Sequence, residues 1–83
     1  MDRTAARSII AKDGLEAGIW FADPDGRPHR VVISRHAAGF AVFVTGERGA
    51  AEGGRLFDSE SEALETYIRL LRAQQRLLDR GVL

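Results

Sequence analysis

The stretch GIWFADPDGRPHRVVISRH, residues 18–36, holds two β-rich runs on either side of Asp23-Pro24-Asp25-Gly26. Proline presets φ at the second position of a turn, and glycine takes the positive φ that closes a hairpin, so the stretch predicts two antiparallel strands joined by the chain's clearest turn. Ala37-Ala38-Gly39 makes a second turn and leads into FAVFVTG, residues 40–46, where β-branched and aromatic residues again dominate. The three runs predict a three-stranded antiparallel β-meander over residues 18–46.

Working outward from the meander, residues 2–12 predict a short N-terminal helix. Asp2 is available as N-cap, Ala5, Ala6, Ile9 and Ile10 recur at helical spacing, and Asp13-Gly14 ends the run. Residues 47–55, ERGAAEGGR, are glycine-rich and charged and are expected to form a flexible loop. Residues 58–80 predict a long amphipathic helix. Ser59 and Glu62 match the capping box S-x-x-E, and Gly81 supplies a stop. Leu64, Tyr67, Ile68, Leu71, Leu77 and Leu78 fall on one broad apolar arc that must cover the sheet, while Gln74 and Gln75 interrupt it near a possible overhang past the sheet edge. The fold class is therefore α+β: one domain, residues 1–83, with the long helix packed on the sheet.

Composition excludes several functions. At 83 residues the chain has room for one modest core. It has no cysteine, which removes disulfides and thiolate metal sites and suits a reducing, cytoplasmic setting. Apolar runs reach only about five residues, far short of the ~20 that span a bilayer, so no membrane association is expected. Twelve basic and twelve acidic residues cancel, which places direct nucleic-acid binding below protein binding as an expectation.

No residue set points to catalysis, a cofactor or a metal. His29 and His36 are seven apart and would face opposite sides of a regular strand. Ser34 and His36 share a parity without an evident third member, and the glycine-rich loop lacks the ending of a phosphate-binding loop. Binding is the expected role. Trp20, Arg30, Val32 and Phe43 would form an aromatic and cationic platform if they share an open sheet face. The acids Asp58, Glu60, Glu62 and Glu65 begin the last helix, and Arg69, Arg72, Arg76 and Arg80 form one stripe toward its end. That polarity complements the helix dipole, and both clusters are candidate partner contacts.

Two resemblances bear on function. The order helix–three strands–helix resembles the double-stranded-RNA-binding domain over most of the chain, and Gly26, Pro28 and His29 match that family's Gly-x-Pro-His turn. That family's last helix begins with lysines that grip phosphate, and FDSESEA stands there instead, so its phosphate-binding residues do not carry over. The cysteine-free, alanine- and arginine-rich architecture resembles small phage and mobile-element inhibitors, including anti-CRISPR proteins. This second resemblance implies a cytoplasmic protein in a bacterial host that binds a CRISPR effector subunit and blocks nucleic-acid recognition. Homodimerisation through the open sheet face or the Leu77-Leu78 end is the remaining alternative.

Overall fold

The computed structural model describes all residues, 1–83. Helix α1 spans Arg3–Asp13, strands β1 to β4 span Gly18–Trp20, Val31–His36, Gly39–Thr45 and Ala51–Phe57, and helix α2 spans Glu60–Asp79. The strands form one mixed sheet in the order β1-β2-β3-β4, and both helices pack on one of its faces. The α+β class holds; the three-stranded antiparallel meander does not.

Helix ends follow their local chemistry. Asp2 caps α1, its Oδ1 accepting from the Ala5 amide at 2.8 Å, and Ser59 caps α2, its Oγ accepting from the Glu62 amide at 3.3 Å. Beyond the C-termini, the Leu15 amide donates to the Ile10 carbonyl and the Val82 amide to the Leu77 carbonyl, which satisfies carbonyls that a helix end leaves open.

Two elements depart from expectation. The first is the relation of β1 to β2, which pair in parallel with Gly18 opposite Val31 and Trp20 opposite Ile33. Asp23-Pro24-Asp25-Gly26 still makes a local turn, with the Asp25 amide donating to Asp23 Oδ1 at 2.7 Å and the Arg27 amide to the Pro24 carbonyl at 3.0 Å. It closes no hairpin. It lies inside the connection 21–30, which carries the chain from the end of β1 back to the start of β2, as a parallel pair requires.

That return is held by Thr45, a threonine only 1% exposed. Its hydroxyl donates to the Arg27 carbonyl and accepts from the Arg30 amide, each at 2.8 Å. Its backbone pairs on both sides, the His29 amide donating to the Thr45 carbonyl and the Thr45 amide to the Arg30 carbonyl. The turn after β3 also touches the connection: Gly49 lies so close to the Gly26 carbonyl that any side chain there would collide with it.

The second departure is β4, which occupies most of the segment expected to be a flexible loop. It pairs antiparallel with β3, Phe57 opposite Phe40 and Thr45 opposite Ala51, with a bulge at Gly53-Gly54 where these two β4 residues lie opposite the single β3 residue Phe43. Glycines and charges hide such a strand from composition. As the edge of the sheet it is exposed from Ala51 to Leu56, and Phe57 alone is buried.

Alternation divides the sheet's side chains. Val31, Ile33, Val42 and Phe57 meet Leu64, Tyr67, Ile68 and Leu71 of α2 in the main core, with Ala6 of α1 beside them. Ile19 and Val32, paired across β1 and β2, point the other way and are still buried, because the connection 21–30 folds over that end of the second face. This explains why the strands read as apolar at both parities.

Replacing Thr45 with valine keeps the shape and removes the hydroxyl, leaving the Arg27 carbonyl and Arg30 amide without their partner. We expect a loss of about 1–3 kcal/mol in urea unfolding, with Thr45→Ser close to wild type. A valine variant as stable as the parent would show that the hydroxyl does not hold the connection.

Candidate functional site

The parallel register decides where the anticipated platform residues go. Trp20, opposite Ile33, faces the helices; its ring sits 5.9 Å from that of Tyr67 and packs against the core. Val32 is fully buried on the other face. Arg30 precedes β2, and its guanidinium reaches the Glu16 carbonyl at 3.3 Å while its Nε is buried without a partner. Only Phe43, opposite Val32, remains half-buried on the face away from the helices. The four residues do not assemble into one platform.

A different surface takes its place. Phe43, Ala41 and Leu56 share the second face, Leu56 lying opposite Ala41 and standing 57% exposed. The bulge glycines contribute to this, since Gly54 lies against Phe43 and offers no side chain to cover it. Alongside runs the free edge of β4, whose outer backbone groups have no strand partner. At the other end of the same face, Ala22, Asp23 and Pro24 join Val32, Ser34, His36 and Phe43 around a concavity of about 440 Å³.

Ser34 Oγ and His36 Nε2 in that concavity are 2.9 Å apart. His36 is exposed, and Asp23, the one acid lining the concavity, has Oδ1 engaged by the Asp25 amide. A nucleophile–base pair acts when the base is itself oriented by a third group. The pair here reads as two polar side chains bridging on an exposed strand end.

The charged clusters on α2 are partly committed to the fold. Glu60 pairs with Arg3, whose guanidinium also lies 3.9 Å from the Phe21 ring, and Glu65 meets the N-terminal ammonium at 3.9 Å. Asp58 and Glu62 are exposed without an ion-pair partner. In the arginine stripe, Arg72 pairs with Asp13 of α1 at 3.2 Å; Arg69, Arg72 and Arg76 line one shallow groove beside Ile68, and Arg80 lies beyond the helix end. The interruption at Gln74 and Gln75 is structural: Gln74 Nε2 donates to the His29 carbonyl and Gln75 Oε1 accepts from the Glu16 amide, both at 2.9 Å. Leu77 and Leu78 are half-buried there, so the end of α2 is covered by the loops it binds.

Tyr67 was legible in the sequence as core, yet it also borders a cleft. The cleft lies between α1, α2 and β1, holds about 370 Å³, and is lined mainly by Ile10, Leu15, Trp20, Tyr67 and Leu71. The Tyr67 hydroxyl sits directly over Gly18, where a methyl group would collide with it. Burial pushes this phenol well above its ordinary pKa of 10.0. No helix of the protein is long and apolar enough to cross a membrane. No family model, curated protein or solved structure matches this chain.

Tyr67 is the chain's single tyrosine, which makes its ionisation readable. Below pH 10 both folded and unfolded forms keep the phenolic proton. Above it the unfolded chain releases a proton that the folded chain retains, so stability falls with rising pH, by up to about 1.4 kcal/mol per unit. Tyr67→Phe should remove that slope in urea titrations at pH 9–11; an unchanged slope would mean that the phenol ionises freely. The two aromatic anchors separate in the same assay. Trp20→Ala should destabilise clearly more than Phe43→Ala, because only the tryptophan packs between the helices. Equal losses would place both in the core.

Proposed function

We propose that this chain is a non-enzymatic protein-binding domain that works by occupying a partner. The observation that carries this reading is the second sheet face, where Phe43, Ala41 and Leu56 lie beside the free edge of β4. An exposed edge offers main-chain hydrogen bonds to a partner strand, and apolar side chains next to it supply anchors. Rim charges would orient the encounter. The anchors are Phe43 and Leu56, not Trp20.

The finer reading is a small inhibitor of the anti-CRISPR kind, bound to a CRISPR effector subunit in a bacterial cell and blocking its nucleic-acid recognition sterically. Its support is the resemblance in architecture, together with Asp58 and Glu62, two uncommitted acids at the start of α2 that suit a basic nucleic-acid groove. Charge mimicry contributes less to this reading than occlusion does, since Glu60 and Glu65 are engaged within the chain.

A tagged pull-down from a bacterial lysate containing an active CRISPR effector, run with and without nuclease and read by mass spectrometry, tests both levels. Effector subunits should be recovered after nuclease treatment, and Phe43→Glu or Leu56→Glu should abolish recovery while Arg76→Gln leaves it intact. Recovery that depends on nucleic acid and on the arginine stripe would overturn the reading in favour of RNA binding. A doubled mass in solution, lost in Leu56→Glu, together with no effector recovery, would instead assign the edge to a second copy of the chain.

A further inference from the structure

The cleft between α1, α2 and β1 is built differently from the protein's other hollows. Six of its eight lining residues are apolar or aromatic, Tyr67 among them, and Gly18 and Arg7 complete the lining; its side-chain polar groups are the Tyr67 hydroxyl and the Arg7 guanidinium. Tyr67 stands at the inner wall, only 1% exposed as a residue; its hydroxyl is engaged by no protein group, yet it is not sealed from water, the one sealed unpaired polar atom of the chain being Arg30 Nε. That hydroxyl therefore stands free to donate to a group entering the cleft. Arg7 stands at the rim on the exposed side of α1, and the chain's three ion pairs do not include it.

Gly18 makes room for the phenol at this cleft. Any side chain there would run into the Tyr67 hydroxyl and Leu71, so the glycine sets the space in which the phenol stands. Trp20 forms one aromatic wall, its ring tilted 58° to that of Tyr67. A hollow of about 370 Å³ lies toward the small end of the range in which proteins bind small molecules, and an apolar lining with a few polar groups is the usual composition of such sites.

We propose that this cleft binds a small apolar carboxylic acid, its hydrocarbon or aromatic body against Trp20 and Leu71 and its carboxylate held by the Arg7 guanidinium and the Tyr67 hydroxyl. The guanidinium is a fixed cation that only donates, and the phenol can donate beside it, so the charge of Arg7 makes the pair favour an anion over a cation. Arginine matches a carboxylate in geometry as well as in charge. The site is on the opposite side of the sheet from Phe43 and Leu56, and it is independent of the partner-binding reading.

The test uses the full chain and 1-naphthoate as probe, with 1-naphthalenemethanol as its uncharged counterpart, followed in amide and indole N–H correlation spectra. Trp20 is the only tryptophan, so its indole signal reports the cleft without ambiguity. The expected result is a saturable shift at the Trp20 indole and the Gly18 amide, with the acid binding at least about tenfold more tightly than the alcohol. Arg7→Gln and Tyr67→Phe should each remove most of that advantage while leaving the alcohol's affinity unchanged. Absence of saturable shifts, equal affinity for acid and alcohol, or shifts centred on Phe43 and Leu56 would overturn the proposal. Arg7→Gln changes only an exposed side chain, so it decides the matter by itself should Tyr67→Phe fold poorly.

Discussion

The Thr45 hydroxyl is the point on which the topology turns. A parallel β1–β2 pair needs its connecting segment to return the length of the strands without a helix to guide it, and residues 21–30 supply few apolar groups of their own for that purpose. The hydroxyl ties the end of that segment to β3 by bonding the Arg27 carbonyl and Arg30 amide at once. With Gln74 of α2 holding the His29 carbonyl, the segment is fixed from both sides of the sheet. Each bond is worth only about 0.5–1.5 kcal/mol net, yet the groups they satisfy lie in or next to the core, where leaving them unpaired would cost more.

This fastening has consequences for packing on each face. Because β1 pairs with β2 in the register that sets Gly18 beside Val31 and Trp20 beside Ile33, Gly18 and Trp20 point toward the helices and Ile19 points away. The helix side therefore gains an aromatic pair, Trp20 and Tyr67, whose bulk requires glycine at position 18. The other side gains a buried pair, Ile19 and Val32, covered by the returning segment, while Phe43 and Leu56 stay near the surface where that cover ends. The register of β1 on β2 thus places residues of the cleft on one face and of the covered pair on the other.

What the sequence made legible was local. Capping by Asp2 and Ser59, the apolar arc through Leu64, Tyr67, Ile68 and Leu71, and the strand character of residues 31–36 and 40–45 all depend on neighbours within a few positions, and the structure carries each of them. The strand direction of β1 was not legible, because Asp23-Pro24-Asp25-Gly26 makes the same tight turn inside a long return as it would in a hairpin. Distant contacts distinguish the two, those of Thr45 and Gln74 with residues 27–30. Strand β4 was hidden for another reason: at an edge, with both faces largely wet and a glycine bulge, it needs neither alternation nor β-branched residues. The proposed platform failed with the register, since Trp20 and Phe43 belong to opposite faces.

The charges show a similar division between local and distant roles. Acids at the start of α2 and arginines toward its end complement the helix dipole, a local effect worth about 0.3–1 kcal/mol per favourable position. Arg3 with Glu60 and Arg72 with Asp13 also clamp α1 against α2, and such exposed pairs contribute about 0–1 kcal/mol each. Their weight lies in orientation: they hold α1 where Ala6 enters the core and where Arg7 reaches the rim of the cleft. Arg3 adds a second constraint by lying over Phe21, whose φ of +49° turns the chain just after Trp20. Cations already paired within the chain therefore help to orient α1 beside the contact that Ala6 makes with the core, while Arg7 and Arg76 remain outside every ion pair. A surface neutral in sum is in this way left with separate, uncommitted charges on the two sides of α1 and α2.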